Sequence, residues 1–429
     1  MNLLLKLSIV TRELCSSWRS NQQSTIKISG SKSETNRLLL LQALYPDITL
    51  ENISNSDDSQ VMTTALANKA NTQQSTPNTQ IIDIHHAGTA MRFLTAYFAI
   101  QEGRTVIITG SSRMKERPIK ILVEALQQLG AEITYEENEG FPPIKVTGKK
   151  LIQNKISLPA NVSSQYISAL LLIAPKLENG IELTLEGEIT SVPYIKMTLA
   201  LLNEIGVETS FLSNKIIVRP TPNNQHPTTI TIESDWSSAS YYYSIVALSA
   251  IGTEIILSSY KENSLQGDSV LSEIYKNFGV ETVFNNNSII LKKLKNDQPS
   301  TINYKLNNCP DIAQTIAVTC FGLGIGCHLS GLHTLKIKET DRLEALKIEL
   351  SKLGAIVSIT DDSLTLNPSV IARKETISIT TYQDHRMAMA FAPLALITPI
   401  IIEEAEVVSK SYPAFWEDLK NIGFQISEI

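Results

Sequence analysis

The chain has 429 residues, 43% hydrophobic and 19% charged, which is enough apolar side chain for two or three packed domains and too much for a disordered one. A net charge of −6 excludes the broad basic face that nucleic acid needs, so any anion site must be local. Four cysteines, Cys15, Cys309, Cys320 and Cys327, form no CxxC pair and are too few for a disulfide framework, which predicts a reducing, cytoplasmic setting.

The start, MNLLLKLSIVTRELC, carries Lys6 inside its apolar stretch and lacks a basic n-region and a small-residue cleavage site, so it reads as a folded strand. After a polar linker over 21–25, SGSKSETNR (29–37) places Lys32, Ser33 and Arg37 behind a short strand at the opening of a helix. Exposed N–H groups and cations there suit an anion, and they equally suit a solvated cap; the spacing is not that of a Walker A loop. A helical pattern over 58–70 and a polar loop over 71–79 follow. HHAGTAMRFL (85–94) then sets Gly88 before a helix over 89–100 with Arg92 in its first turn, and the glycine lets backbone approach a ligand. TGSSRMKERPI (109–119) leads Arg113, Lys115, Arg117 and Lys120 through a short turn into a helix starting at Pro118. Ser163, Ser164 and Gln165 open a helix over 164–174, and Ser191 and Tyr194 open another, able to cap a helix or to hold an oxyanion.

A Pro/Asn-rich stretch over 220–227 reads as a second linker. Asp311 precedes an apolar helix at an N-cap position, where it can cap or act as a general base. KIKETDRLEAL (336–346) gathers Lys338, Glu339, Asp341 and Arg342 at a helix start, and acids beside bases perturb one another's proton affinity. YQDHRMAMAFA puts Asp384, His385 and Arg386 before a buried-looking helix, and Lys410 stands similarly before the last one. The apolar stretch 387–402 contains two prolines and is too short for a membrane span, so it reads as a buried helix running into a strand. The Cys320, Cys327, His328, His333 spacing fits no familiar zinc site, and FGLGIG is not a dinucleotide fingerprint, so neither kind of site is expected there.

One signature recurs through the chain: LVEALQQLGAEITY, LALLNEIGVETSF, LSEIYKNFGVETVF, IELSKLGAIVSI and FWEDLKNIGFQISE. Each is an amphipathic helix ended by a glycine (Gly130, Gly206, Gly279, Gly354, Gly423) and followed by a β-rich run. The helix over 58–70 is a degenerate sixth copy, which predicts six α/β units in two groups of three; since the last copy ends at the C-terminus, the first strands are expected to complete a unit begun elsewhere. Two linkers make one domain discontinuous. Because hydroxyls and cations repeatedly precede a helix, the expected ligand is a polyanionic small molecule.

GSKSETNR, HAGTAMR, RMKERPI, VSSQ, SVPYIK, PDIAQT, KETDRL, DHRMAMAF and SKSYPAF resemble, in order and over nearly the whole chain, the signatures of the 5-enolpyruvylshikimate-3-phosphate synthase family. The resemblance implies two domains, 1–30 with 233–429 and 31–232, each of three βαβαββ units about a pseudo-threefold axis, with the active site in the cleft between them. It implies transfer of the enolpyruvyl group of phosphoenolpyruvate to the 5-hydroxyl of shikimate 3-phosphate through a tetrahedral intermediate, by a monomer without cofactor, nucleic acid or membrane partner. Carried over by motif, Lys32, Ser33, Arg37, Ser163, Ser164, Gln165, Ser191, Tyr194, Asp311, Thr334 and Lys338 would contact shikimate 3-phosphate. Lys32, Gly88, Arg117, Gln165, Arg342, Arg386 and Lys410 would contact phosphoenolpyruvate. Asp311 would be the base and Glu339 the proton donor and acceptor at the methylene carbon, with Lys32 and Lys338 assisting; Arg92 and His385 lie in the motifs without a defined role. Three departures stand out: His86 where Asn is usual, Phe93 where Pro is common, and Thr334 where Asn is common. The rival readings are the related transferase acting on UDP-N-acetylglucosamine, whose reactive loop Cys is missing from RMKERP, and a non-catalytic anion-binding protein, which would not need Asp311 and Glu339.

Overall fold

The structure is a computed structural model that describes residues 5–11, 25–67, 79–160, 162–187, 189, 192–221, 227–371 and 376–429. Cys15, Ser191, most of both linkers and nearly all of the loop over 71–79 lie outside the described residues. The chain divides into two compact units, Gly30–Ile232 and Met1–Ser29 with Glu233–Ile429.

The glycine-punctuated repeat is real structure. The five glycines have φ of 102°, 87°, 76°, 97° and 100°, a left-handed conformation that costs glycine little and stops the helix before the next strand. Each full repeat runs strand, helix, strand, helix, strand, strand, and closes one four-stranded sheet of constant pattern. In the inserted unit, Thr79–Asp83 pairs parallel with Thr105–Thr109, which pairs antiparallel with Ile144–Thr147 and that with Glu132–Tyr135. Lys155–Pro159, Ile181–Glu186, Lys215–Val218 and Thr209–Leu212 repeat the order. The third sheet has two strands among the described residues, Thr228–Thr231 parallel to Ile48–Glu51.

In the unit that holds both termini, Thr25–Ile26, Glu254–Ser258, Ser288–Lys293 and Val280–Asn285 form one sheet, and Thr301–Lys305, Gly326–Ser330, Ser363–Leu366 and Val357–Ile359 the next. The last has the order Ile377–Ile379, Ile400–Ile402, Leu7–Thr11, Phe424–Glu428, so the N-terminal strand fills the fourth place in a repeat begun at the C-terminal end. At both crossings a first strand belongs to one unit and the helix after it to the other: Thr25–Ile26 leads to Lys32–Leu44, and Thr228–Thr231 leads to Trp236–Leu248. Gly30 marks the first crossing, where a Cβ would lie 1.9 Å from the Asn52 carbonyl oxygen.

The two helices of a repeat differ. The first is apolar nearly all round and forms the core: every residue of Gly88–Ala99 is buried, it packs on Ser164–Ile173, and Ala313–Leu323 packs on both Trp236–Leu248 and His385–Phe391. The second is one-sided, as in Lys120–Gln128, which buries Leu122, Val123, Ala125 and Leu126. Each buried leucine or valine there contributes about 1.5–3 kcal/mol.

Three local expectations are corrected. Pro118 is not the first residue of a helix; Ile119 is the N-cap and Lys120 begins it. Asp311 does not cap: it lies inside the 3-10 turn Pro310–Ile312, and the helix Ala313–Leu323 starts without a side-chain cap. The helix before Gly279 is broken, α over Leu271–Ile274 and 3-10 over Tyr275–Phe278.

Candidate functional site

In the inserted unit the motif cations sit at the N-terminal ends of buried helices. Arg37, in the first turns of Lys32–Leu44, is 2% exposed. Its Nε donates to Thr198 Oγ1 (2.8 Å), Nη1 to the Ser33 carbonyl (2.7 Å) and Nη2 to Ser168 Oγ (2.9 Å), and it lies 5.4 Å from the Phe93 ring centroid. Burial lowers its pKa to about 10, with Tyr194 and Glu34 opposing, so it stays charged at neutral pH. Phe93, one of the departures, therefore supports a motif arginine. Ser163 caps Ser164–Ile173 by accepting from the Gln165 N–H, and Gln165 Nε2 donates to Thr89 Oγ1 (3.2 Å), tying two of these helix starts together.

The four-cation cluster resolves into two kinds. Arg113 pairs with Glu116, Lys115 with Glu137 and Lys120 with Glu139, all at the surface. Arg117 lies on Gly88, where a Cβ would come 2.6 Å from its Nη1, and no acid among the described residues pairs with it. Lys32, half-buried, is likewise unpaired among the described residues. His86 holds its Nε2 3.6 Å from Asp57 Oδ2.

In the other unit, Asp311, Glu339, Lys338, Arg342, Asp384 and Arg386 form one cluster. Arg342, 2% exposed, donates from Nε to Asp384 Oδ2 (2.6 Å), from Nη1 to Asp311 Oδ1 (2.9 Å) and from Nη2 to Glu339 Oε2 (2.8 Å). Burial disfavours its charge, but Asp384, Glu339 and Asp311 more than restore it and raise its pKa. Arg386 Nη2 stands 3.4 Å from Asp311 Oδ2, and Lys338 Nζ 3.6 Å from Asp311 Oδ1. Burial alone would raise the Asp311 pKa; Arg386, Lys338 and Arg342 overcome it and hold the carboxyl far below the usual range. Lys410 donates to the Gln383 carbonyl (2.6 Å), and the Thr334 Oγ1 is buried with no partner among the described residues.

Sequence reasoning missed the matching helix start of Trp236–Leu248. Asp235 caps it by accepting from the Ser238 N–H, Ser237 Oγ donates to Asp235 Oδ1 (2.6 Å), and Arg386 Nη2 donates to Ser237 Oγ (3.2 Å). Asp268 is buried beside this group, its Oδ1 without a partner among the described residues, and burial together with the charge of Asp311 pushes its pKa up to about 7. Asp384, expected only as an odd charge before a helix, both pairs with Arg342 and accepts from the Arg386 N–H (2.8 Å). The position of Asp235 as the acid before a repeat's first helix was the available signal.

His328 bonds Thr365 and His333 lies by Asp362, while Cys320 and Cys327 are buried thiols; among the described residues no three His, Cys, Asp or Glu converge as a metal site. No helix of the described residues is long and apolar enough to cross a membrane.

Sheets of this constant order, three to a unit, make this an α/β protein, and its solved neighbours share the enolpyruvyl transferase fold. Solved structures with this fold include EPSP synthase from Acinetobacter baumannii (TM-score 0.76, 20% identity, 99% of this chain and 100% of that one) and the enolpyruvyl transferase NikO from Streptomyces tendae (0.74, 13%, 100% and 99%). Residues 17–419 match the family model described as EPSP synthase (3-phosphoshikimate 1-carboxyvinyltransferase). A protein of that name from Bacteroides fragilis is 47% identical over 95% of this chain and 97% of its own, and one from Haemophilus influenzae 34% identical over 93% and 96%. The chain belongs to the EPSP synthase family.

Proposed function

We propose that the chain transfers the enolpyruvyl group of phosphoenolpyruvate to the 5-hydroxyl of shikimate 3-phosphate, releasing phosphate, with the residues above in the following roles. Asp311 takes the proton of the 5-hydroxyl as its oxygen bonds to C2 of phosphoenolpyruvate, and Glu339 protonates the methylene carbon to give the tetrahedral adduct. Glu339 then removes a proton from the resulting methyl group as the C2–O bond to phosphate breaks, and the proton held by Asp311 leaves with the phosphate, which returns both carboxyl groups to their starting forms. Lys338 steadies the 5-hydroxyl. Lys32, Ser33, Arg37, Ser163, Ser164, Gln165, Ser191, Tyr194 and Thr334 hold shikimate 3-phosphate, and Lys32, Gly88, Arg117, Gln165, Arg342, Arg386 and Lys410 hold phosphoenolpyruvate.

The observation that carries this reading is that Asp311 and Glu339 share one buried guanidinium, Arg342. Carboxylates in an anion-binding set weaken binding unless they move protons, which disfavours a binding protein without turnover. A substrate carboxylate bound to Arg342 and Arg386 by forked hydrogen bonds competes with Asp311 and Glu339 for those donors. As it shares their charge, the Asp311 pKa rises toward a range in which it accepts a proton. Binding of the second anion thus arms the base. We place the enzyme in the cytoplasm as a monomer, a setting in keeping with the free thiols of Cys309, Cys320 and Cys327.

The test is phosphate release by purified protein with both substrates and with each omitted in turn, EDTA present throughout, together with identification of the enolpyruvyl product. Release that requires both supports the reading. Turnover with UDP-N-acetylglucosamine in place of shikimate 3-phosphate, or none with either, overturns it.

A further inference from the structure

Arg92 is a motif residue that the reaction leaves without a role, and its surroundings are unusual. It is 4% exposed, in the first turns of Gly88–Ala99, and forms no ion pair among the described residues. Its Nη1 donates to the Gly88 carbonyl (3.0 Å) and contacts Met114 Sδ (3.8 Å), and its Nη2 donates to the Pro118 carbonyl (3.0 Å). The guanidinium carbon lies 5.9 Å from the Tyr166 ring centroid, and Tyr166 Oη donates to the same Pro118 carbonyl (2.6 Å). Nε has no partner.

A buried charge with no ion pair among the described residues is a poor way to stabilise a core; burial, with repulsion from Arg117, lowers the Arg92 pKa to about 10 against the opposing pull of Tyr166 and Asp58. Stability alone therefore does not account for an arginine in this place. What its two arms touch does. One carbonyl belongs to Gly88, the residue on which the Arg117 guanidinium lies, and the other to Pro118, the residue directly after Arg117. Arg92 is a brace between the two backbone points that set the approach of Arg117 to Gly88. The Pro118 carbonyl, taking two donors at once, cannot turn without breaking both bonds, and the ring of Pro118 fixes φ at the same point. The fork suits this task because its planar geometry reaches two acceptors in fixed directions, which an ammonium group does not.

We infer that Arg92 is a positioning residue, with Tyr166 its helper, that holds Arg117 against Gly88 and so shapes the anion pocket for phosphoenolpyruvate; this rests on the function proposed above. The charge of Arg92, which forms no ion pair among the described residues, adds positive potential beneath the same pocket. Both effects act on phosphoenolpyruvate, and neither touches the carboxylates that move protons.

The experiment compares Arg92→Lys, which keeps the charge and loses the fork, and Tyr166→Phe, which removes one donor from the Pro118 carbonyl, with the unaltered protein. Folding is checked by thermal unfolding, and KM for each substrate, kcat, and calorimetric binding of inorganic phosphate are measured. The expected result for Arg92→Lys is a rise of tenfold or more in KM for phosphoenolpyruvate and a matching loss of phosphate affinity, with KM for shikimate 3-phosphate within twofold. Tyr166→Phe moves the same two quantities about threefold. A merely structural role would lower the unfolding temperature or the active fraction and leave both KM values alone or shift them together. Either folded variant with unchanged KM for phosphoenolpyruvate and unchanged phosphate affinity overturns the inference, and if Arg92→Lys fails to fold, Tyr166→Phe decides it. If the unaltered protein shows no turnover, the proposed function fails while the phosphate titration still decides the role of Arg92.

Discussion

The two units hold their arginines in opposite ways. In the inserted unit Arg37 and Arg92 are held by carbonyls, hydroxyls and aromatic faces, and burial lowers the pKa of each to about 10. In the other unit Arg342 and Arg386 are held by Asp311, Glu339 and Asp384, and their charge is reinforced rather than opposed. Both arrangements grow from the same repeat, a buried helix whose N-terminal end carries polar side chains. The first leaves two buried guanidinium groups without an ion pair among the described residues, which suits a phosphate. The second interleaves acid and base, which suits proton transfer.

The largest effect should come from removing the base. Asp311→Ala is expected to lower kcat about a thousandfold, within the usual range for general acid–base catalysis, while calorimetry finds the dissociation constant for shikimate 3-phosphate within about threefold. Binding and turnover lost together would mean that the acid-laced set also does the holding.

Next in size, Arg386→Ala should raise KM for phosphoenolpyruvate about a hundredfold and leave that for shikimate 3-phosphate nearly unchanged, as loss of a partly buried charged contact predicts. Equal changes in both would make Arg386 a structural partner of Asp311.

The smallest concerns stability. Asp268 has a folded pKa of about 7, above the ~3.9 of an unfolded chain, so the folded state binds the extra proton between these values and stability falls as pH rises through that window. Asp268→Asn stays neutral throughout. It should match the unaltered protein near pH 4 and be more stable above pH 7, by at most about 4 kcal/mol, in calorimetric unfolding. An equal effect at both ends would assign the change to packing.

Much of the fold was legible because one local device, helix then left-handed glycine then strand, recurs at a regular spacing, and chain geometry alone makes it visible. That the first strand completes a unit begun elsewhere was legible too, but that it sits between Ile400–Ile402 and Phe424–Glu428 was shown only by the sheet. What escaped was long-range. Nothing near Asp311 in the sequence announces that three cations surround it, and its place before an apolar helix looked like a cap. Asp235 and Ser237 do cap and bond locally, so their support of Arg386, some 150 residues away, has no local trace. Arg113, Lys115 and Lys120 look like Arg117 in sequence, and only the acids brought to them by the fold set them apart.

The comparison of the two units is tested most directly by titrating inorganic phosphate into Arg117→Met and Arg386→Met. Affinity is expected to fall more than tenfold in Arg117→Met and less than twofold in Arg386→Met, because only the first removes charge that no carboxylate among the described residues pairs with. Equal loss in the two variants, or a larger one in Arg386→Met, would contradict it.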